Sequence, residues 1–233
     1  GLTDTATVTI NPGQSNSPTS VAAGGAEFRP AGAGTTTVSA TIPGFIAQPL
    51  ATRSSTVSAP AISAYGGTVG AGLQTQPYVY LGASAHGGVA VTIKSADPAS
   101  LKVSPNASTP GTDSIVVNVP NGTQYVYYYV QGMEGVTDTV AVTATAPGFT
   151  SGSANWGVVQ PGLYLEGVPT STTTFSPSNP LYVYVGIPYS TYVSQQAIRA
   201  GGTAVTATLV NSNPAAARLN QTAGLTDTAT VTI

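Results

Sequence analysis

The sequence predicts an all-β protein built from antiparallel β-sandwiches. Three observations predict it. Short runs rich in β-branched and aromatic residues recur along the chain. Turn residues separate them every 8–12 residues or so, as in a sandwich. No stretch keeps a helical period for the roughly 10–12 residues that a helix requires.

The runs follow in order. Residues 78–81 (YVYL), 89–93 (VAVTI), 115–119 (IVVNV), 125–130 (YVYYYV) and 140–144 (VAVTA) read as strands. Asp97-Pro98, Pro120-Asn121-Gly122 and Pro147-Gly148 read as the turns between them. In the 125–130 run, strand alternation sets Tyr125, Tyr127 and Tyr129 on one face and Tyr128 on the other. One set belongs to the core. The other serves for contact, because tyrosine offers apolar area with a hydroxyl that tolerates water.

The chain repeats itself twice over. Residues 1–10 read GLTDTATVTI, and so do residues 224–233, a recurrence after 223 residues. A weaker repeat lies inside that period. QPYVYLG (76–82) matches PLYVYVG (180–186), and VAVTIKSADPASLKVSPN (89–106) is set against TAVTATLVNSNPAAARLN (203–220). GTDSIVVNV (111–119) matches LTDTATVTI (225–233), and TVAVTATAPGF (139–149) matches TTVSATIPGF (36–45). The blocks keep one order if the chain is treated as circular. The expectation is two related modules per 223-residue repeat, with the chain cut through the second. Module A then occupies 59–158. Module B starts with 159–233, and its C-terminal half appears as 1–58, from the preceding copy. Each module has the size and the seven or eight strands, or about that number, of an immunoglobulin-like sandwich.

The segment VTATAPGFTSGSANWGVV (142–159) and its second copy VSATIPGFIAQPLATRSSTVSAP (38–60) resemble the last strands of bacterial immunoglobulin-like repeats. That family forms tandem arrays in large cell-surface and fibre proteins. The resemblance implies the fold and tandem display at the cell surface, and implies no ligand. The low charge and the Gly-rich connection at 22–34 depart from an ordinary stalk of that family.

Composition narrows the function. Only 6% of residues are charged and the net charge is -2, while 41% are hydrophobic. Disordered chains show the opposite balance. A surface of Thr, Ser, Asn, Gly and Tyr can lie against another such surface with little charge repulsion. Six Lys and Arg are too few for a nucleic-acid footprint. The absence of cysteine excludes a disulfide scaffold and a thiolate zinc site. No apolar run reaches the roughly 18 residues of a membrane span, so no membrane insertion is expected in this segment.

No cofactor, metal or catalytic residue is expected. His86 is the one histidine and lies in a hairpin-turn sequence without an acidic partner in a recognisable motif. Asp4, Asp113, Asp138 and Asp227 share Thr-Asp-Thr or Thr-Asp-Ser contexts that suit turn caps better than a calcium site. Asn106, Asn121 and Asn220 begin Asn-x-Ser/Thr sequons, with Asn106 and Asn220 aligned between modules. They are the candidate glycosylation sites.

The functional expectation is a non-enzymatic repeat unit of an extracellular filament or surface fibre. Its partners are further copies of itself. The candidate inter-copy strand is Gly1, Leu2, Thr3, Asp4 and Thr5, recurring as Gly224, Leu225, Thr226, Asp227 and Thr228. The candidate contact aromatics are Tyr125, Tyr127, Tyr128 and Tyr129. The rival expectation is an adhesin stalk or carbohydrate-binding repeat, with Tyr164, Tyr189 and Tyr192 as a platform for a glycan.

Overall fold

In a computed structural model of the protein, which describes residues 4–222 and 224–233, strands and turns account for the chain without any α-helix among those residues. Among the described residues no helix is long and apolar enough to cross a membrane. The protein is all-β, with its sheets predominantly antiparallel. The chain divides into two compact units, residues 1–59 and 60–233.

The first unit is sparse. Strands β1 (Gly34–Ser39) and β2 (Thr52–Val57) form an antiparallel hairpin with Val38 opposite Arg53. No described residue of this unit is buried. Val38, Ile42, Phe45, Ile46 and Leu50 all face solvent. Burial of apolar surface is the main driving force for folding, and this hairpin lacks it.

In the second unit, region A (residues 60–161) holds β3 (Ile62–Ala64), β4 (Gly67–Gly70), β5 (Leu73–Thr75), β6 (Tyr78–Leu81), β7 (Val89–Ser95), β8 (Leu101–Ser104), β9 (Ser114–Val119), β10 (Tyr125–Tyr127), β11 (Tyr129–Gly132), β12 (Asp138–Thr145) and β13 (Gly152–Val159). One sheet runs β4-β13-β12-β7-β9. Across the core from it lie β10-β6-β3 and a sheet that includes β5-β11-β8. Strand alternation sends Val91 and Ile93 of β7, Val140, Val142 and Ala144 of β12 and Trp156 and Val158 of β13 inward. They meet Ile62, Val79, Leu81, Leu101, Val103, Val126, Tyr128 and Val130 in one closed, β-sandwich-like core.

Within that core a polar network holds β5 to β11. Gln131 is fully buried, and its side-chain amide donates to Gln74 Oε1 at 2.9 Å and to Thr109 O at 3.1 Å. Its Oε1 accepts from Gly111 N at 2.8 Å. A buried amide is tolerated when its bonds are made in this way. Burial also pushes the Tyr128 hydroxyl up to about 12, against a smaller opposing influence of the Trp156 indole.

The tyrosine-rich run is not one strand. The ladder breaks at Tyr128, whose N–H donates to Pro77 O at 3.2 Å. Residues before it pair with β6, whereas residues after it pair with β5 and β8 in another sheet. Tyr125 and Tyr127 are therefore exposed together, whereas Tyr128 points into the core at 1% exposure, which removes it from the candidate contact aromatics. Tyr129 belongs to a different sheet and does not extend their face.

Region B (residues 162–233) holds β14 (Gly162–Glu166), β15 (Tyr182–Pro188), β16 (Val193–Gln195), β17 (Ala197–Ile198), β18 (Thr206–Val210), β19 (Leu219–Gln221), β20 (Gly224–Thr226) and β21 (Thr228–Thr232). They form a sheet β14-β15-β16 and two separate pairs, β18-β21 and β19-β20. β17 adds to β5 of region A instead. Ala229 is the one buried hydrophobic side chain of region B among the described residues.

Candidate assembly interface

Region B repeats part of the hydrogen-bonding plan of region A at equivalent residues. Ser95 N donates to Asp113 O at 2.9 Å, and Asn211 N donates to Asp227 O at 2.9 Å. Val103 bridges Thr112, and Leu219 pairs with Thr226. The Asp97 carboxylate accepts from Ala99 N at 3.0 Å, as the Asn213 side-chain oxygen accepts from Ala215 N at 3.2 Å. Lys94 lies opposite Ser114, and Val210 opposite Thr228. Ile62 lies opposite Leu81, and Leu163 opposite Val185.

These pairs correct one alignment drawn from the sequence. Residues 89–106 correspond to 205–222, not to 203–220, so that Pro98 stands with Pro214. The tripeptide Ala-Val-Thr shared by 90–92 and 204–206 produces the two-residue slip. Asn220 consequently stands with Ser104, and Asn106 with Thr222; the two sequons are not equivalent. Asn106, Asn121 and Asn220 are nevertheless all exposed. Asn106 Oδ1 accepts from Ser108 N at 3.0 Å, and Asn121 Oδ1 from Gly87 N at 2.8 Å.

The 1–59 unit repeats a further piece of region A. Phe45 N donates to Ile42 O at 3.0 Å, as Phe149 N does to Ala146 O at 3.2 Å. Gly44 and Gly148 close the two turns at φ 82 and 79, a left-handed conformation that favours glycine. β1 thus matches β12, and β2 matches β13.

The difference between the copies is burial. Val142 is 2% exposed, whereas its counterpart Val38 is 53% exposed. Phe149 packs against the core of region A, whereas Phe45 is 75% exposed. Ile62 is 4% exposed, whereas Leu163 is 67% exposed. Ile93 is fully buried between β9 and β12, whereas Leu209 on β18 is half-buried. The apolar pattern is the same in each pair, and the cover is missing in one. Exposed apolar faces of this extent mark contact surfaces.

The inter-copy strand carries the same lesson. Gly224–Thr226 pairs with β19 and Thr228–Thr232 with β18. Thr226 Oγ1 donates to Thr228 O at 2.8 Å, as Thr112 Oγ1 does to Ser114 O at 2.8 Å in region A. The identical residues Asp4 and Thr5, with the rest of the segment to Ile10, form no strand. Gly1, Leu2 and Thr3 lie outside the described residues. Asp227 also meets Arg218 at 3.4 Å. A strand is defined by its partner as much as by its own residues, and the decapeptide shows this within one chain.

A second contact joins region B to region A and was not foreseen from sequence. Region B has residues 187–204 where region A has only 83–88, and the extra length forms β16 and β17. Ala197 and Ile198 pair with Gln74 and Leu73 at the edge of β5. Gln196 Oε1 accepts from Gly70 N at 2.9 Å, and its amide donates to Thr68 O at 3.0 Å. Arg199 N donates to Gly72 O at 3.0 Å, and Ala200 N donates to Gln74 Oε1 at 3.1 Å. Arg199 completes the joint through its bidentate pair with Glu134. The Arg199 hydrogen bonds hold the Glu134 carboxyl below its ordinary 4.5.

The aromatic surface is a ladder on the outer side of β10-β6-β3. Tyr78 meets Tyr65 at 5.3 Å, Tyr125 at 5.4 Å and Tyr127 at 5.9 Å between ring centres. Tyr80 meets Tyr125 at 5.2 Å. The first and last of these four contacts are inclined by 56° and 64°, with the other two between 60° and 68°, so the rings pack edge against face. In region B, Tyr164 stacks on Tyr184 at 5.3 Å, and Tyr189 on Tyr192 at 4.7 Å. His86 pins a turn. Its Nε2 lies 2.9 Å from Thr123 O, and its Nδ1 accepts from Gly88 N at 3.1 Å, which makes Nε2 the donor. No group of three or more metal-ligating side chains occurs among the described residues.

No protein-family model matches the chain. No curated protein matches it in sequence either.

Proposed function

We propose that the protein is the repeat unit of an extracellular filament or surface fibre made of tandem immunoglobulin-like domains. Region A is one domain. Region B is the first part of a second domain, and an adjacent copy completes it with the equivalent of residues 11–58. The observation that carries this reading is the paired contrast in burial. Val142 and Ile62 lie in a closed core, while Val38 and Leu163 present the same pattern to solvent. The 223-residue recurrence of GLTDTATVTI supplies the continuity, because residue 233 of one copy then coincides with residue 10 of the next.

The reading assigns no catalysis and no cofactor. It makes further copies the partners, and the low charge lets uncharged Thr- and Tyr-rich faces meet without repulsion. The exposed tyrosines favour a second reading, in which the array is an adhesin stalk that binds carbohydrate. The edge-to-face packing of Tyr78 on Tyr125 and Tyr127 argues for a contact surface on that face, while the near-parallel Tyr189–Tyr192 pair is what the second reading would use as a platform. A glycan array with hits lost on Tyr189→Ala or Tyr192→Ala would reverse that preference.

Electron microscopy of the native material tests the proposal. It predicts filaments whose axial repeat contains two sandwiches. Separate globular particles would contradict it. A denaturing gel then resolves the two forms of the idea. A very large polypeptide marks one tandem chain, and a band near 23.1 kDa marks separate subunits.

A further inference from the structure

Two free strand edges match each other. β7 of region A is paired on both sides, with β9 and with β12. Its counterpart β18 is paired, among the described residues, on one side alone, with β21. β12 is likewise paired on both sides, with β13 and with β7. Its counterpart β1 is paired, among the described residues, with β2 alone. The missing neighbour of β18 is therefore the equivalent of β12, and the missing neighbour of β1 is the equivalent of β7.

Neither edge carries the features that guard an exposed strand. β1 reads GTTTVS and β18 reads TATLV, with no charge and no proline in either. Proteins normally blunt exposed edges with Lys, Pro or bulges, because an open ladder recruits another strand. Unguarded edges of matching pattern are receptive ones.

Region A fixes the register. There Val142 lies opposite Ser95, Thr143 opposite Lys94, Ala144 opposite Ile93 and Thr145 opposite Thr92. Resting on the filament reading above, we propose that β1 of one copy adds to the free edge of β18 in a second copy, antiparallel, with Val38 opposite Asn211, Ser39 opposite Val210, Ala40 opposite Leu209 and Thr41 opposite Thr208. The pairing turns Val38, Ala40 and Leu209 toward the new core, as Val142, Ala144 and Ile93 are turned in region A. Ser39, Thr41, Thr208 and Val210 take the outward positions of Thr143, Thr145, Thr92 and Lys94. Ala96 N donates to Ala141 O at 2.9 Å beside this ladder. Ser212 N therefore donates to Thr37 O in the joint.

The same bond identifies the hydrogen-bonded pairs. Ala96 N donates to Ala141, the residue directly opposite, so alternate pairs from there, Lys94 with Thr143 and Thr92 with Thr145, are of the hydrogen-bonded type. Their equivalents, Ser39 with Val210 and Thr41 with Thr208, have Cα atoms about 5.5 Å apart. A disulfide fits that separation. The chain has no cysteine of its own, so any crosslink comes from the introduced residues.

The test mixes two full-length single-cysteine variants under mild oxidation, one isotopically labelled so that the mixed dimer is told from either homodimer by mass. Ser39→Cys with Val210→Cys, and Thr41→Cys with Thr208→Cys, are the in-register pairs. Ser39→Cys with Thr208→Cys, and Thr41→Cys with Val210→Cys, are two residues out. All four positions face outward, so the variants keep the core intact. The expected result is a mixed disulfide dimer that forms about tenfold faster for both in-register pairs, since diagonal neighbours stand about 7–8 Å apart. Faster crosslinking of the out-of-register pairs, or equal rates for all four, overturns the register. A double variant Ser39→Cys/Val210→Cys that crosslinks only within single chains overturns the exchange between copies. Light scattering on the unsubstituted chain separates this failure from that of the filament reading. Polymers without the expected crosslinks sink the register alone, whereas a chain that stays at 23.1 kDa and yields no mixed dimer sinks both.

Discussion

The Arg199 guanidinium grips the Glu134 carboxylate through two hydrogen bonds, each 2.8 Å, and so ties an insertion peculiar to region B to a loop of region A. Arg199 is 12% exposed on its side chain and Glu134 47%, so solvent screens the pair from one side only. The bidentate geometry gives the joint direction, and β17 on the edge of β5 gives it area. Together they fix how residues 196–200 lie against region A.

Glu134 makes the joint sensitive to acid. Its carboxyl is held below 4.5 by Arg199, so the charged form is favoured in the folded chain. Its contribution is complete above pH 4.5 and is lost as pH falls through the lower folded value. Glu134→Gln removes that part of the pH dependence. After discounting for exposure, the loss at neutral pH is about 0.5–1 kcal/mol. Thermal melts of the parent and the variant from pH 7 downward check this, and the two curves should converge in acid.

Gln131 holds region A from inside. Gln131→Leu keeps the volume but strands the Gly111 N–H, while Thr109 O keeps its bond from Ser104 Oγ and Gln74 Oε1 keeps that from Ala200 N. The expected cost is about 1–3 kcal/mol, because a buried group left unpaired pays its full desolvation. A urea titration reads it as a lower midpoint with an unchanged slope.

Equivalent valines should respond differently to assembly. Val142→Ala opens space in a closed core and costs about 2 kcal/mol whether copies are associated or not. Val38→Ala removes a side chain that is 53% exposed and costs almost nothing in the dilute chain. In the assembled form its cost rises toward that of Val142→Ala. Melting both variants at low and high protein concentration measures the difference.

Much of region A is legible from its residues. The run from Val89 to Ser95 alternates, and its inward members Val91 and Ile93 are those that are buried. The Pro147-Gly148 turn falls where the left-handed glycine stands. The break at Tyr128 is not legible, because neither Gly nor Pro marks it and YVYYYV alternates without interruption. Its cause is tertiary, since β6 claims the residues before it and β5 and β8 those after. The Gln196–Arg199 joint is equally hidden, since Gln and Arg in a loop look solvated. Its signal was length, in the extra residues of 187–204 against 83–88. The repeated segment marks the opposite limit, with its second copy forming the two strands β20 and β21 and the described residues 4–10 of its first copy forming none. Local sequence proposes a strand, and a neighbouring edge decides it.

The mass of the unsubstituted chain in solution bears most directly on the central claim. If region B is finished by another copy, multi-angle light scattering should show masses climbing through multiples of 23.1 kDa as concentration rises. A single species of 23.1 kDa at every concentration, with Val38 and Leu163 protected inside it, would contradict the account.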